Sequence, residues 1–296
     1  MPLLVLLFLA LAVGGGVGAL AWRYLRVRAP APAIGAARTF GEAAGSHPGL
    51  RPLLAPRLDP ETATGLALTL ALALTVGAGV VLGLLAYLVR TNSVLIGLDN
   101  GVGKWGVRHA TSFSTHALNP ITNLGSVYVV VGLCVVLAAA ETIRTRSAWV
   151  VPFLLVAVGG EEILTLTIKA IVDRTRPAFN PAAATLGPSF PSGHSATAAV
   201  FYASAALLLG RRRGRAGRAA FAGCAAGVAV GVAASRVLLD VHWLTDVIGG
   251  LALGWAWFAL SAIAFGGRLL RFGAGVEVAG RAADVAERET RTRAAV

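Results

Sequence analysis

Blocks of roughly 17 to 25 residues almost free of charge recur along this chain, and their length constrains its fold more than any other feature. An α-helix rises 1.5 Å per residue, so each block is long enough to cross about 30 Å of hydrocarbon. Seven such blocks can be marked, at about Pro2–Trp22, Thr64–Val89, Ile121–Ala140, Trp149–Val172, His194–Gly210, Ala219–Leu238 and Trp243–Gly266. The composition agrees, with 56% hydrophobic and 14% charged residues, against about 25% charged in an ordinary soluble domain. The expected fold class is all-α, a polytopic transmembrane helical bundle.

The formal net charge of +12 does not point to nucleic acid, because the basic residues are scattered between apolar blocks and almost all are Arg. They read as topology determinants. The first block has no basic residues ahead of it and is followed at once by Arg23, Arg26 and Arg28, which favours an anchor with its start outside over a cleaved signal. With that orientation only seven of the 26 basic residues lie outside: Arg90, Lys104, Arg108, Lys169, Arg174, Arg176 and Arg236. The remaining nineteen are inside, among them the run from Arg211 to Arg218, which is read as a topology signal and not a ligand site.

Four regions follow: an N-terminal transmembrane anchor over 1–28, a flexible Pro-, Gly- and Ala-rich inner linker over 29–60, a membrane core over 61–267, and a cytoplasmic tail over 268–296. The outer loop from Arg90 to Pro120 carries Trp105, His109, Phe113 and His116 and reads as an interfacial element, its histidines as surface residues. Cys134 and Cys224 each fall inside an apolar block, without disulfide or metal-ligand spacing.

Chemistry collects on the outside face. Lys169, Arg174 and Arg176 lie where the fourth span emerges, Ser192, Gly193 and His194 open the fifth, and Ser235 and Arg236 end the sixth. His242 and Asp246 are spaced i, i+4 at the start of the seventh, so they share a helix face. The two histidines and Asp246 could hold a divalent metal, but the adjacent cations oppose one, and no metal is expected. An anion suits the cluster better. Guanidinium groups match phosphate oxygens, and Ser192 with the Gly193 amide can donate at a helix start, where the dipole favours negative charge. Asp246 would fix the tautomer of His242 and free its other nitrogen as nucleophile or base, while His194 could protonate a leaving oxygen. Ser192 is the competing nucleophile. Taken singly, each of these residues reads equally well as a snorkelling or interfacial anchor; their order and spacing argue for a site.

Lys169 followed after six residues by Arg176-Pro177, then Pro191-Ser192-Gly193-His194, then Ser235-Arg236 with His242 and Asp246, resembles the three-part signature of the type 2 phosphatidic acid phosphatase superfamily. The resemblance implies a six-helix membrane core and a metal- and cofactor-independent phosphohydrolase working through a phosphohistidine. It implies His242 as nucleophile, Asp246 as its orienter and His194 as acid and then base. Lys169, Arg176, Ser192, Gly193 and Arg236 would bind the phosphoryl oxygens. The first span is an addition to the six-helix core. Arg174 lies outside the signature and is expected to anchor the interface; Glu161 and Glu162, inside a span, are expected to be protonated or hydrogen-bonded structural groups, the alternative being a part in substrate or proton handling. The superfamily also holds soluble vanadium haloperoxidases, against which the spans count.

The expected function is an integral membrane lipid phosphatase, its site on the extracytoplasmic side of a bacterial plasma membrane. Its partners are membrane lipids and a lipid phosphate or diphosphate substrate of the polyprenyl diphosphate, phosphatidic acid or phosphatidylglycerol phosphate class, with no nucleic acid. The alternative is an inactive lipid-phosphate binding or transport protein, which would need the cations but not His242, Asp246 and His194.

Overall fold

The computed structural model describes residues 1–24, 63–91, 93–177 and 185–269; the expected linker over 29–60 and all but the start of the expected tail lie outside them. Among the described residues the regular structure is helical. The helices are α1 (Pro2–Tyr24), α2 (Ala63–Thr91), α3 (Ser93–His109), α4 (Ser112–Asn123), α5 (Val127–Thr145), α6 (Val150–Val172), α7 (Gly193–Gly210), α8 (Arg215–Leu238) and α9 (Leu244–Leu269). Helix α6 contains one π-helical stretch, Leu155–Gly159.

Six of them, α1 and α5 to α9, are each long and apolar enough to span a bilayer, and α2 with α3 makes a pair bent by 85° that passes the same test together. The third expected span was misplaced. The helix begun at Ser112 ends at Asn123, and a new one opens at Val127 with Ser126 as its cap, Oγ accepting from Val129 N at 3.4 Å. Thr122, Asn123, Gly125 and Ser126 interrupt the apolar character there, and packing requires the break: a Cβ on Gly125 would sit 2.6 Å from both the His194 carbonyl oxygen and Val232 Cγ1.

The packing described below lies within one compact unit, residues 1–27 and 74–262. A second unit, 28–73 and 263–296, contributes only the first turns of α2 and the last turns of α9 to the described residues. Large apolar side chains such as Phe8, Leu11, Val135, Val136, Ile163 and Leu166 are exposed on the spans, as expected where hydrocarbon is the solvent. Small residues face inward, since lipid offers helices no hydrophobic reason to associate and close packing must do so. Ala198 and Ala199 of α7 meet Ala229 and Val232 of α8 in a fully buried cluster. On the other side of α7, Gly250 and Gly254 of α9 lie against the carbonyls of Ser192 and Ala196, where any side chain would collide.

Helix α1 lies along α8 by the same device. Gly14 faces Gly223, each placed so that an added Cβ would come within 2.7 Å or less of the other's carbonyl oxygen, and Gly227 approaches the Ala10 carbonyl. Helices α5 and α7 are tied at one end of the bundle, where Arg211 Nη2 reaches buried Glu141 at 2.7 Å. The end of α6 and the starts of α7 and α9 meet at the opposite end, together with the end of α8.

Candidate active site

Two short segments strap that end together. Residues 173–177 leave α6 through a left-handed turn at Asp173, and 185–192 lead into α7. Ser189 N donates to Arg174 O at 2.7 Å and Ser189 Oγ to Thr175 O at 3.1 Å, so the two segments run side by side. The second is joined to α9 by Ser192 N donating to Asp246 O at 3.0 Å. The expected cluster lies on these straps, at the ends of α6 and α8, at the starts of α7 and α9, and, for His242, in the turn between α8 and α9.

Lys169, in the last turn of α6, donates from Nζ to Pro188 O at 2.9 Å. Arg176 donates to Gly187 O at 2.9 Å, Val241 O at 2.7 Å and the His242 ring nitrogen Nε2 at 3.1 Å. Arg236 is buried; its Nη1 donates to Thr122 Oγ1 at 3.0 Å, and its Nε has no hydrogen-bond partner among the described residues. Ser192, fully buried, takes a hydrogen bond from Ser195 Oγ at 3.0 Å beside the first turn of α7. His194 follows in that turn, within the electrostatic reach of Arg236, His242, Lys169 and Arg176. Converged cations at a helix start favour an anion.

The geometry assigns the His242 tautomer. Arg176 can only donate, so Nε2 is the acceptor and Nδ1 carries the proton, which faces Asp246 Oδ2 at 3.4 Å. Oδ2 also accepts from Trp243 N at 3.0 Å. Burial pushes the His242 ring down to about 4, Asp246 partly offsetting it and Arg176 and Arg236 adding to it, so the ring is neutral at pH 7. Burial also lowers Arg176, with Asp246 pulling the other way.

Arg174 corrects the expectation of an interface anchor. Its largely covered guanidinium reaches into the site, Nη1 at 2.6 Å from Asp246 Oδ1 and Nη2 at 2.7 Å from Asp99 Oδ2. Neither Asp99, on α3, nor Thr122, on α4, was singled out from the sequence. The one available signal was that Asp99 is the only acid between Glu61 and Glu141. Asp240, buried in a left-handed conformation between Arg236 and His242, was also missed; burial pushes its carboxyl up to about 6. His109 and His116 are exposed, as expected, and both cysteines are free. Glu161 is fully buried with its oxygens accepting from Thr165 at 2.6 Å and Thr197 at 3.0 Å, which is the hydrogen-bonded role expected of it.

Against known proteins, residues 149–269 match the PAP2 superfamily, a span that covers all four helix ends and both straps. Phosphatidylglycerophosphatase B of Bacillus subtilis (strain 168) is 33% identical over 179 residues, 60% of this chain and 87% of that protein. The chain belongs to the PAP2 superfamily. It is a polytopic helical PAP2 membrane phosphatase, a phosphoric monoester hydrolase by class. The crystal structure of the transmembrane PAP2 type phosphatidylglycerolphosphate phosphatase from Bacillus subtilis superposes with a TM-score of 0.62 at 30% identity, covering 67% of this chain and 98% of that one. A lipid A 1-phosphatase of Rhizobium johnstonii (strain DSM 114642 / LMG 32736 / 3841) is 34% identical over 141 residues, 42% of this chain and 54% of that protein.

Proposed function

We propose that this PAP2 protein hydrolyses a lipid phosphate monoester or diphosphate at the extracytoplasmic face of a bacterial plasma membrane, with His242 as a covalent nucleophile. The observation that carries the reading is the His242 ring: Nδ1 is turned to a buried carboxylate, and the lone pair of Nε2 points among fixed cations. In the first step Nε2 attacks phosphorus, the bond to the leaving oxygen breaks, and His194 gives that oxygen its proton. Lys169, Arg176 and Arg236, with Ser192 and the Gly193 amide, bind the phosphoryl oxygens and stabilise the charge that develops on them. In the second step His194 takes a proton from water, the water oxygen attacks phosphorus, the N–P bond breaks, and inorganic phosphate leaves.

Phosphatidylglycerol phosphate is the first substrate to test, because the similarity to phosphatidylglycerophosphatase B extends over most of that protein. Phosphatidic acid, polyprenyl diphosphates and lipid A phosphates follow. The full chain in detergent micelles should release phosphate from at least one of them, with EDTA present and with inhibition by vanadate, a five-coordinate phosphate mimic. Activity lost to chelation and restored by one added metal would instead return both histidines and Asp246 to a metal site.

A further inference from the structure

Asp246 does not face His242 alone. It is fully buried, and its two oxygens are divided: Oδ2 serves His242 and the Trp243 amide, and Oδ1 takes Arg174 Nη1 at 2.6 Å. Arg174 is itself shared. Nη2 binds Asp99 Oδ2 at 2.7 Å, Nη1 also donates to Thr245 Oγ1 at 2.7 Å, and the guanidinium lies 5.5 Å from the Trp243 ring centre. Asp99 in turn accepts from Thr245 N at 3.0 Å and Thr245 Oγ1 at 2.6 Å, and so caps the first turn of α9 from a different helix. Asp99 and Thr245 are almost wholly buried.

The charges explain why both groups are present. A lone carboxylate in this setting would be too costly to keep ionised, and Arg174 supplies its counter-charge. A cation given wholly to Asp246 would weaken that carboxylate as an acceptor for the imidazole. Dividing Arg174 between two carboxylates leaves the trio with a net charge of about −1, which holds Asp246 ionised and still able to polarise Nδ1–H.

We propose that Asp99 and Arg174 form a positioning pair that holds Asp246 against His242, so that phosphorylation of His242, and not substrate binding, depends on them. The inference rests on the phosphohistidine reading above. It gives α3, outside the three-part signature, a part in the reaction, and it extends the familiar logic by which a second carboxylate partner orients a functional histidine.

The test uses the purified full chain with 4-nitrophenyl phosphate as probe, reading kcat, KM and the rate of phosphoenzyme formation. Asp99→Asn and Arg174→Gly should each lower kcat and the rate of phosphorylation by about 10- to 100-fold, the range for loss of an orienting partner behind a functional histidine, with KM unchanged. Added guanidinium ion should restore part of the rate to Arg174→Gly and none to Asp99→Asn. Retained helicity and elution volume identify a folded variant, and Arg174→Lys, which keeps the charge without the fork, should fall between parent and Arg174→Gly. Folded variants that phosphorylate at the parent rate, or that lose only affinity, would overturn the positioning pair while leaving the phosphohistidine intact. Failure of the parent itself to label His242 would overturn the reading beneath it.

Discussion

At the residue scale, the proposed chemistry turns on one imidazole. Asp246 and Arg176 approach opposite nitrogens of His242, and the ring is neutral because the cost of burying a charge there exceeds the pull of the carboxylate. In the proposed mechanism the neutral ring is the nucleophile, so activity should be lost as the pH falls through the folded value of His242, about 4, and be unaffected by this group above it. We expect kcat/KM, corrected for ionisation of the substrate itself, to show an acid limb near that value. A limb at the ordinary histidine value of about 6.5 would mean that His242 is not the group that must be unprotonated.

At the element scale, the chain uses small residues where two helices must meet and large ones where they face lipid. Gly223 is the tightest point between α8 and α1, with the Gly14 carbonyl 2.6 Å from where a Cβ would stand. Gly223→Leu should therefore destabilise the protein by about 1–3 kcal/mol, the cost of overpacking, seen as a lower unfolding temperature in detergent; Gly132→Leu on α5, with open space around it, is the control. The spans were legible in the sequence because each is a long apolar run bounded by Arg or by Gly and Pro. The break between α4 and α5 is marked only by Asn123, Gly125 and Ser126 within a stretch otherwise apolar enough to span, and the His194 carbonyl and Val232 across the interface require the turn. Likewise the signature residues were legible from their internal spacing. Arg174 was misjudged because its partner Asp99 lies 75 residues away, on a helix with no chemical motif of its own.

At the scale of the whole molecule, helix direction alternates so that α6 to α9 bring their chemistry to one end and the Arg211 cluster to the other. The Arg distribution predicts that this cluster lies inside. A cysteine introduced into the loop at Arg213 should resist an impermeant thiol reagent added to intact cells, on a background lacking Cys134 and Cys224, and react once the cells are opened; labelling from outside would invert the orientation. The central claim is the covalent role of His242, and trapping the phosphoenzyme tests it most directly. Full-length protein carrying His194→Ala, given radiolabelled aryl phosphate, needs little protonation of its leaving group and lacks the base for the second step. It should accumulate label that is stable to alkali, labile to acid and located on His242, and the further change His242→Ala should abolish it. Label found on Ser192, or surviving in the His242→Ala protein, would contradict the account.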